Sequence, residues 1–272
     1  MKSDAMLPVS IEQIVAVVRE ASSLMVREGF SVEEKGSREN IVTSSDVAVQ
    51  HFLTERLGAL LPGSGFLCEE EDLSDTAHEA VWIIDPIDGT ANYARGIESC
   101  AISVALLWDG VLAAGVVYSP WRGELYTAEK GCGAFCNGVP IRVSDRPFEA
   151  GLLFTAMSTY RKEFARSCSD IIFDIFMDCN DFRRTGSAAV ELSLMGAGMA
   201  ELYFEMRLMP WDYAAAGLIL QEAGGVISGF DGTSFPSLSE PSMVLAANSA
   251  ENLRRLVAIV HRHLSGQPWQ EA

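Results

Sequence analysis

The sequence predicts an α+β fold. Three observations predict it: helical periodicity in the first 60 residues, short apolar runs bounded by turns from 65 to 127, and helices alternating with strands beyond 145. A length of 272 residues is large for one simple domain and small for two independent ones. Two halves, 1–145 and 146–272, are therefore expected to pack as one compact unit.

Ser10 can cap a first helix through Ile11, Ile14, Val15, Val18 and Leu24 or Met25, with Gly29 at its end. Residues 29–40 are polar and glycine-punctuated and read as a loop. A second amphipathic helix starts near Thr43 to Asp46, carries Val49, Phe52, Leu53, Leu57 and Leu60, and closes at Pro62-Gly63. The period then changes. Residues 65–68 and 81–84 are short apolar runs followed by acids, as in buried strands that deliver carboxylates at their ends. Residues 99–108, 111–118 and 123–127 read as strands, the first two joined by an Asp109-Gly110 hairpin turn, so this half holds a largely antiparallel sheet. Further on, 151–156, 202–204, 226–228 and 243–246 read as strands. Residues 164–177, a segment opened by Gly186, 211–223 and 249–264 read as helices.

Hydrophobic residues make up 49% of the chain, enough for a sizeable core. The 37 acidic against 20 basic side chains give a formal charge of −17, which repels nucleic acid and anionic lipid; neither is expected as a partner. The acidity reads as a solvated surface for the most part, and it also suits carboxylates gathered around divalent cations. Met1-Lys2-Ser3-Asp4 opens no secretory signal, and no 18-residue uncharged apolar stretch exists, so a soluble cytoplasmic protein with reduced thiols is expected. Cys132 and Cys136 lack a second Cys/His pair at zinc spacing.

The strongest local signal is Trp82-Ile83-Ile84-Asp85-Pro86-Ile87-Asp88-Gly89-Thr90. Asp85 ends an apolar strand. Pro86 cannot continue a central ladder, so the chain is expected to turn there. Asp88 then lies close enough to share a cation with Asp85. Gly89 suits a tight turn, and Gly89-Thr90 opens a helical segment whose free N–H groups suit a phosphate. Two carboxylates and an anion nest are what metal-assisted phosphoryl transfer needs. Three weaker signals converge on it: Glu69-Glu70-Glu71, Trp211-Asp212 and Asp46. Each on its own reads as an acidic loop or a helix cap.

Together with Ile41-Val42-Thr43-Ser44-Ser45-Asp46, Gly186-Ser187-Ala188-Ala189, Glu205, Pro210-Trp211-Asp212 and Glu222-Ala223-Gly224-Gly225, these motifs make the chain resemble the inositol monophosphatase-like phosphatases over nearly its whole length. Relatives of that family include fructose-1,6-bisphosphatase and nucleotide 3′-phosphatases. The resemblance implies a layered αβαβα sandwich, a homodimer, inhibition by lithium, and two to three Mg²⁺ ions per site. Glu69, Asp85 and the Ile87 carbonyl would hold one ion, Asp85, Asp88 and Asp212 a second, and a third would lie near Glu69. Asp46 would sit beside the cluster, as a partner to the ligands or through water to an ion. Glu69 and Thr90, with Asp85 and Asp88, would form the catalytic group, and the N–H groups of Gly89 and Thr90 would hold phosphate.

On the alcohol side the resemblance places Asp88, Gly186, Ser187, Ala188 and Glu205. A carboxylate at Glu205 accepts hydrogen bonds from ring hydroxyls, which favours a polyol or sugar phosphate; the alternative is a solvent-exposed acid at a strand end. Arg183-Arg184 either binds a second substrate phosphate or anchors acidic surface. The 29–40 loop either closes over substrate with Lys35 near the phosphate or stays solvated. After Tyr93 the chain reads Ala94-Arg95-Gly96-Ile97-Glu98-Ser99, where many relatives carry an apolar-aromatic turn, so the substrate rim departs from the pattern. The expected function is Mg²⁺-dependent hydrolysis of inositol monophosphate or a related polyol or sugar phosphate. The alternatives are a nucleotide 3′-phosphatase (adenosine 3′,5′-bisphosphate), a fructose-1,6-bisphosphatase, and a regulatory binding protein with secondary catalysis.

Overall fold

The computed structural model describes residues 8–70, 74–158 and 161–264. Helix α1 (Ile11–Ala21) starts on a capping box in which the Ser10 hydroxyl accepts the Gln13 N–H and the Gln13 amide accepts the Ser10 N–H. A ribbon of β1 (Val32–Ser37) and β2 (Asn40–Thr43) leads into α2 (Ser44–Leu60), capped by Thr43. There follow β3 (Gly65–Cys68), β4 (Ser74–Asp75), β5 (Ala80–Asp88), the short α3 (Thr90–Tyr93), and a meander of β6 (Ala101–Trp108), β7 (Val111–Ser119), β8 (Glu124–Glu129), β9 (Gly133–Cys136) and β10 (Val139–Ile141). The rest comprises β11 (Leu152–Thr155), α4 (Ala165–Asp178), β12 (Asp181–Arg183), α5 (Ala188–Gly196), β13 (Leu202–Leu208), α6 (Pro210–Glu222), β14 (Val226–Ser228), β15 (Ser242–Ala247) and α7 (Ala250–Leu264).

One sheet has eight strands in the order β10-β9-β8-β7-β6-β5-β3-β4, and another has five, β12-β11-β13-β15-β14. The first is antiparallel except where β3 runs parallel to β5. Period-two alternation assigns the faces. Trp82 and Ile84 of β5 turn with Ile102, Val104 and Val116 towards α1 and α2. Val81 and Ile83 turn the other way, into a core shared with α5, α6 and the near face of the second sheet, Tyr203, Val244 and Ala246. That sheet's far face, Leu202, Phe204 and Leu245, packs on α4 and α7. The layers therefore run helix, sheet, helix, sheet, helix.

Asp109 and Gly110 both have positive φ (48° and 75°), the primed hairpin turn that their sequence implies. Three local expectations need correction. Residues 29–40 are not a loop: β1 and β2 form an antiparallel ribbon whose side chains are mostly exposed, so neither face imposes an apolar alternation. The chain does not leave the sheet at Pro86. β5 runs on to Asp88 through a bulge, pairing Asp85 with Ser103 and Asp88 with Ala101, and the extra residue frees Pro86 from a ladder bond it cannot make. Glu205 lies within β13 rather than at its end. The short strands β4, β9, β10 and β12 carry no pattern long enough to read. Among the described residues no helix is long and apolar enough to cross a membrane, and all six cysteines are free thiols.

Candidate metal centre and substrate cleft

Parallel pairing brings the ends of β3 and β5 to one edge, where the Glu69 N–H donates to the Ile84 carbonyl at 3.2 Å and Asp85 follows. The β5 bulge then turns Asp88 to the same region. Helix α6 supplies Asp212 in its first turn, where the carboxylate accepts the Met209 N–H at 2.7 Å. Gly115 of β7 lets α6 lie this close: a Cβ there would stand 2.8 Å from the Ala215 carbonyl oxygen. The outcome is that one oxygen from each of Asp85, Asp88 and Asp212 falls within 4.8 Å of the others.

These carboxylates are poorly neutralised by the protein. Asp85 is 1% exposed, and its Oδ1 has no hydrogen-bond partner. Burial and then the charges of Glu69, Asp88 and Asp212 raise the Asp85 carboxyl well above the usual carboxylate range. Burial followed by the charge of Asp88 does the same to Asp212. Burial lifts Glu69 to about 7 against the pull of Lys35, with Glu70 and Asp46 adding to the rise. Asp88 is lifted to about 6 by burial, opposed by hydrogen bonds from Ser187 and Ala189. A hard divalent cation such as Mg²⁺ fits this donor set: all-oxygen ligands, clustered negative charge and an orphaned buried oxygen.

Neighbouring side chains fix the cluster. The Gln50 side chain donates to the Glu70 carbonyl at 2.6 Å and accepts the Glu70 N–H at 2.9 Å, pinning the segment that carries Glu69. Lys35 reaches in from β1 to pair with Glu70 and, at 3.4 Å, with Glu69. Asp46, fully buried, accepts from the Thr43 N–H at 2.9 Å and from the Thr90 hydroxyl at 3.0 Å. The Thr90 hydroxyl is also 3.1 Å from the Ile87 carbonyl.

Asp88 joins the carboxylate cluster to the start of α5. Its Oδ2 accepts from the Ser187 hydroxyl and the Ala189 N–H, both at 2.6 Å, and so satisfies the start of α5. Gly89 has φ +89°, and a Cβ there would meet the Ser99 carbonyl at 2.9 Å, so the close approach requires glycine. Asn92 donates to the Ser99 and Thr185 carbonyls, each at 2.7 Å. The buried Glu191 accepts from the Thr185 N–H at 2.5 Å and the Gly186 N–H at 3.3 Å, and burial raises its carboxyl to about 7. Glu205 accepts from the Tyr203 hydroxyl at 2.7 Å, and burial lifts it to about 8.

A single cleft of about 970 Å³ is lined by Lys35, Glu69, Asp85, Ile87, Asp88, Gly89, Thr90, Arg184, Gly186, Ser187, Ala188, Glu205 and Asp212. These singled-out residues thus meet in one place, whereas Asp46 lies just behind Thr90, Glu70 pairs with Lys35, Arg183 is exposed and pairs with Asp181, and Glu71 is outside the described residues. Gln50, Asn92 and Glu191 also shape the site, from outside the sequence motifs. Gln50 stands one turn after Asp46 on an otherwise apolar helix face, and Glu191 is the lone acid of a fully buried helix; both are signals a reader could use.

The chain is thus a five-layer sandwich with carboxylates gathered at the edge of its eight-stranded sheet. The family model described as the inositol monophosphatase family matches residues 5–265, and the chain belongs to that family. It is 36% identical over 225 residues to the Nus factor SuhB of Escherichia coli K12, covering 80% of this chain and 84% of that one. It is 32% identical over 263 residues to human inositol monophosphatase 1, covering 92% and 94%. Among solved structures, an extragenic suppressor protein suhB from Bartonella henselae superposes with a TM-score of 0.83 at 29% identity, covering 92% of this chain and 97% of that one. An IMPase from Thermotoga maritima does so at 0.82 and 28%, covering 94% and 98%. Relatives that bear the name Nus factor do not fit the expectation of no nucleic-acid partner, and that expectation is withdrawn.

Proposed function

We propose that this chain hydrolyses a small phosphate monoester, inositol monophosphate or a related polyol or sugar phosphate, with Mg²⁺ held by Glu69, Asp85, the Ile87 carbonyl, Asp88 and Asp212. The observation that carries the reading is the convergence of the Asp85, Asp88 and Asp212 carboxylates in the wall of the cleft, with Asp85 Oδ1 buried and unpartnered. Bound divalent cations would supply Lewis acidity, lowering the pKa of an attacking water and neutralising charge on the phosphate. The chain's own groups do the rest. Glu69 and the Thr90 hydroxyl, which Asp46 fixes, orient the water and take its proton. The N–H groups of Gly89 and Thr90 receive phosphate oxygens. Ser187, Ala188 and Asp88 position the alcohol, and Glu205 accepts from its hydroxyls. Residues 1–145 and 146–272 act as one unit, since the site draws on both. The family resemblance supports a cytoplasmic homodimer.

Phosphate release from inositol 1-phosphate, with and without Mg²⁺ and alongside Asp88→Asn, tests this. Release that is unchanged without metal, or in the variant, would sink it. Millimolar lithium is expected to inhibit; full activity in lithium would count against the inositol phosphatase branch alone. A second reading, a regulatory partner role with catalysis secondary, is favoured by the 36% identity to proteins named Nus factor SuhB. Complementation of a SuhB-deficient bacterium by both the wild type and Asp88→Asn would support that role as independent of catalysis.

A further inference from the structure

The cleft draws on segments from both halves of the chain, and Asn92 bonds across the seam between them. Asn92 lies in α3, and its backbone N–H donates to the Gly89 carbonyl at 2.8 Å. Its position is thereby tied to the turn that carries Gly89 and Thr90. Its side-chain nitrogen has two hydrogens. It donates to the Ser99 carbonyl on the cleft rim and to the Thr185 carbonyl ahead of α5, each at 2.7 Å. Thr185 stands 93 positions further along the chain.

The backbone around Thr185 is shaped to this contact. Gly186 has φ +86°, and a Cβ there would stand 3.1 Å from the Asn92 side-chain nitrogen. A Cβ at Gly89 would stand 3.2 Å from the Gly186 carbonyl oxygen, so the two turns touch. The N–H groups of Thr185 and Gly186 go to the buried Glu191, and the Ser187 hydroxyl that follows goes to Asp88. Two carbonyl oxygens on one nitrogen require a side chain with two N–H hydrogens. Aspartate has the same shape, offers no donor when ionised and sets negative charge against both carbonyls. Asn92 brings no acid, base or net charge to the cleft, so its contribution is one of spacing.

We propose that Asn92 is a positioning residue that sets substrate selectivity: by holding the Thr185 carbonyl it fixes the span between the phosphate-binding turn at Gly89-Thr90 and the alcohol-binding turn at Gly186–Ala188. This rests on the phosphatase reading above and adds the residue that governs its discrimination between alcohols. An alcohol that carries hydroxyls must reach from one turn to the other, so the span decides how well it fits. An alcohol without hydroxyls engages the phosphate turn alone and is less sensitive to the span. Glu191, which takes the N–H groups of Thr185 and Gly186, holds the same segment by its other polar groups.

The test compares inositol 1-phosphate with p-nitrophenyl phosphate, whose alcohol has no further hydroxyl, in wild type, Asn92→Asp, Glu191→Leu and Glu191→Gln. Asn92→Asp is expected to raise KM for inositol 1-phosphate about 10-fold more than KM for p-nitrophenyl phosphate, the range of one lost hydrogen bond, while kcat for the two changes by a common factor. Glu191→Leu releases the same segment and should shift the KM ratio in the same direction; it also supplies the reading if Asn92→Asp does not fold. Glu191→Gln keeps an acceptor oxygen for the Thr185 and Gly186 N–H groups and should keep the wild-type ratio. Equal KM changes for the two substrates in Asn92→Asp, as a general loss of structure would give, would overturn the inference and leave the phosphatase reading intact. A wild type that hydrolyses neither monoester would overturn the phosphatase reading. Calorimetric titration of inositol 1-phosphate and of inorganic phosphate into wild type and Asn92→Asp then reads the spacing role without turnover: a loss confined to inositol 1-phosphate supports it, and an equal loss for both overturns it.

Discussion

Replacing Asp85 by Asn separates a carboxylate kept to hold a cation from one kept to hold the fold. The side chain is 1% exposed, its Oδ1 lacks a partner, and Glu69, Asp88 and Asp212 all oppose its charge. In the metal-free protein, Asn removes the buried negative charge at nearly constant volume and can donate to a neighbouring carboxylate. An unsatisfied buried polar group costs about 1–3 kcal/mol, so the metal-free variant should be more stable by that order. At about 2–4 °C per kcal/mol, Tm should rise by roughly 2–12 °C. Mg²⁺ should act oppositely. At a concentration 100-fold above Kd, it stabilises the wild type by about 2.7 kcal/mol, and the variant should respond little. Differential scanning calorimetry in chelator and then in Mg²⁺, with phosphate release measured in parallel, reads all three effects. A metal-free variant that melts lower than the wild type, or one that gains as much from Mg²⁺, would refute the assignment of Asp85 as a cation ligand.

The remaining expectations are as follows. Gly115→Val drives carbon into the Ala215 carbonyl, already 2.8 Å from a Cβ, and should cost about 1–3 kcal/mol, read as a lower denaturation midpoint, with weaker Mg²⁺ binding because Asp212 shifts with α6. Gln50→Ala releases both backbone groups of Glu70 and should cost a similar 1–3 kcal/mol; an unchanged midpoint would count against the clamp. Glu69 at about 7 and Asp88 at about 6 must lose protons for Mg²⁺ to bind, so apparent Mg²⁺ affinity should rise from pH 5 to 8 and flatten above, as followed by titration calorimetry. Glu191, raised from 4.5 to about 7, favours the folded state while protonated. Its contribution should be complete below pH 4.5 and lost as pH rises through 7, and Glu191→Gln should flatten that part of the metal-free stability profile.

Much of the site was legible because its carboxylates sit where apolar runs stop. Asp85 and Glu69 follow directly on the apolar runs of β5 and β3, and Asp212 and Asp46 lie in the first turns of α6 and α2, positions that a change of hydrophobic period marks directly. What bound them together was less visible. The parallel pairing of β3 with β5, which sets Glu69 beside Asp85, depends on tertiary context. The β1–β2 ribbon carries Lys35 on strands whose side chains are mostly exposed, so no alternation betrays them. Pro86 misled because its ban from a central ladder is real, yet a bulge satisfies it without ending the strand.

Asp88 gives one oxygen to both the Ser187 hydroxyl and the Ala189 N–H while belonging to the carboxylate cluster. One side chain thus belongs to two equilibria. A cation that draws electron density from Asp88 weakens its hold on the start of α5, and an alcohol that displaces the Ser187 hydroxyl leaves Asp88 freer to ligate. Linkage then requires that each ligand change the other's affinity by the same factor. On the proposed function, an inhibitor that binds on the Ser187 side of Asp88 would therefore also change metal affinity, and its potency would depend on the ion present.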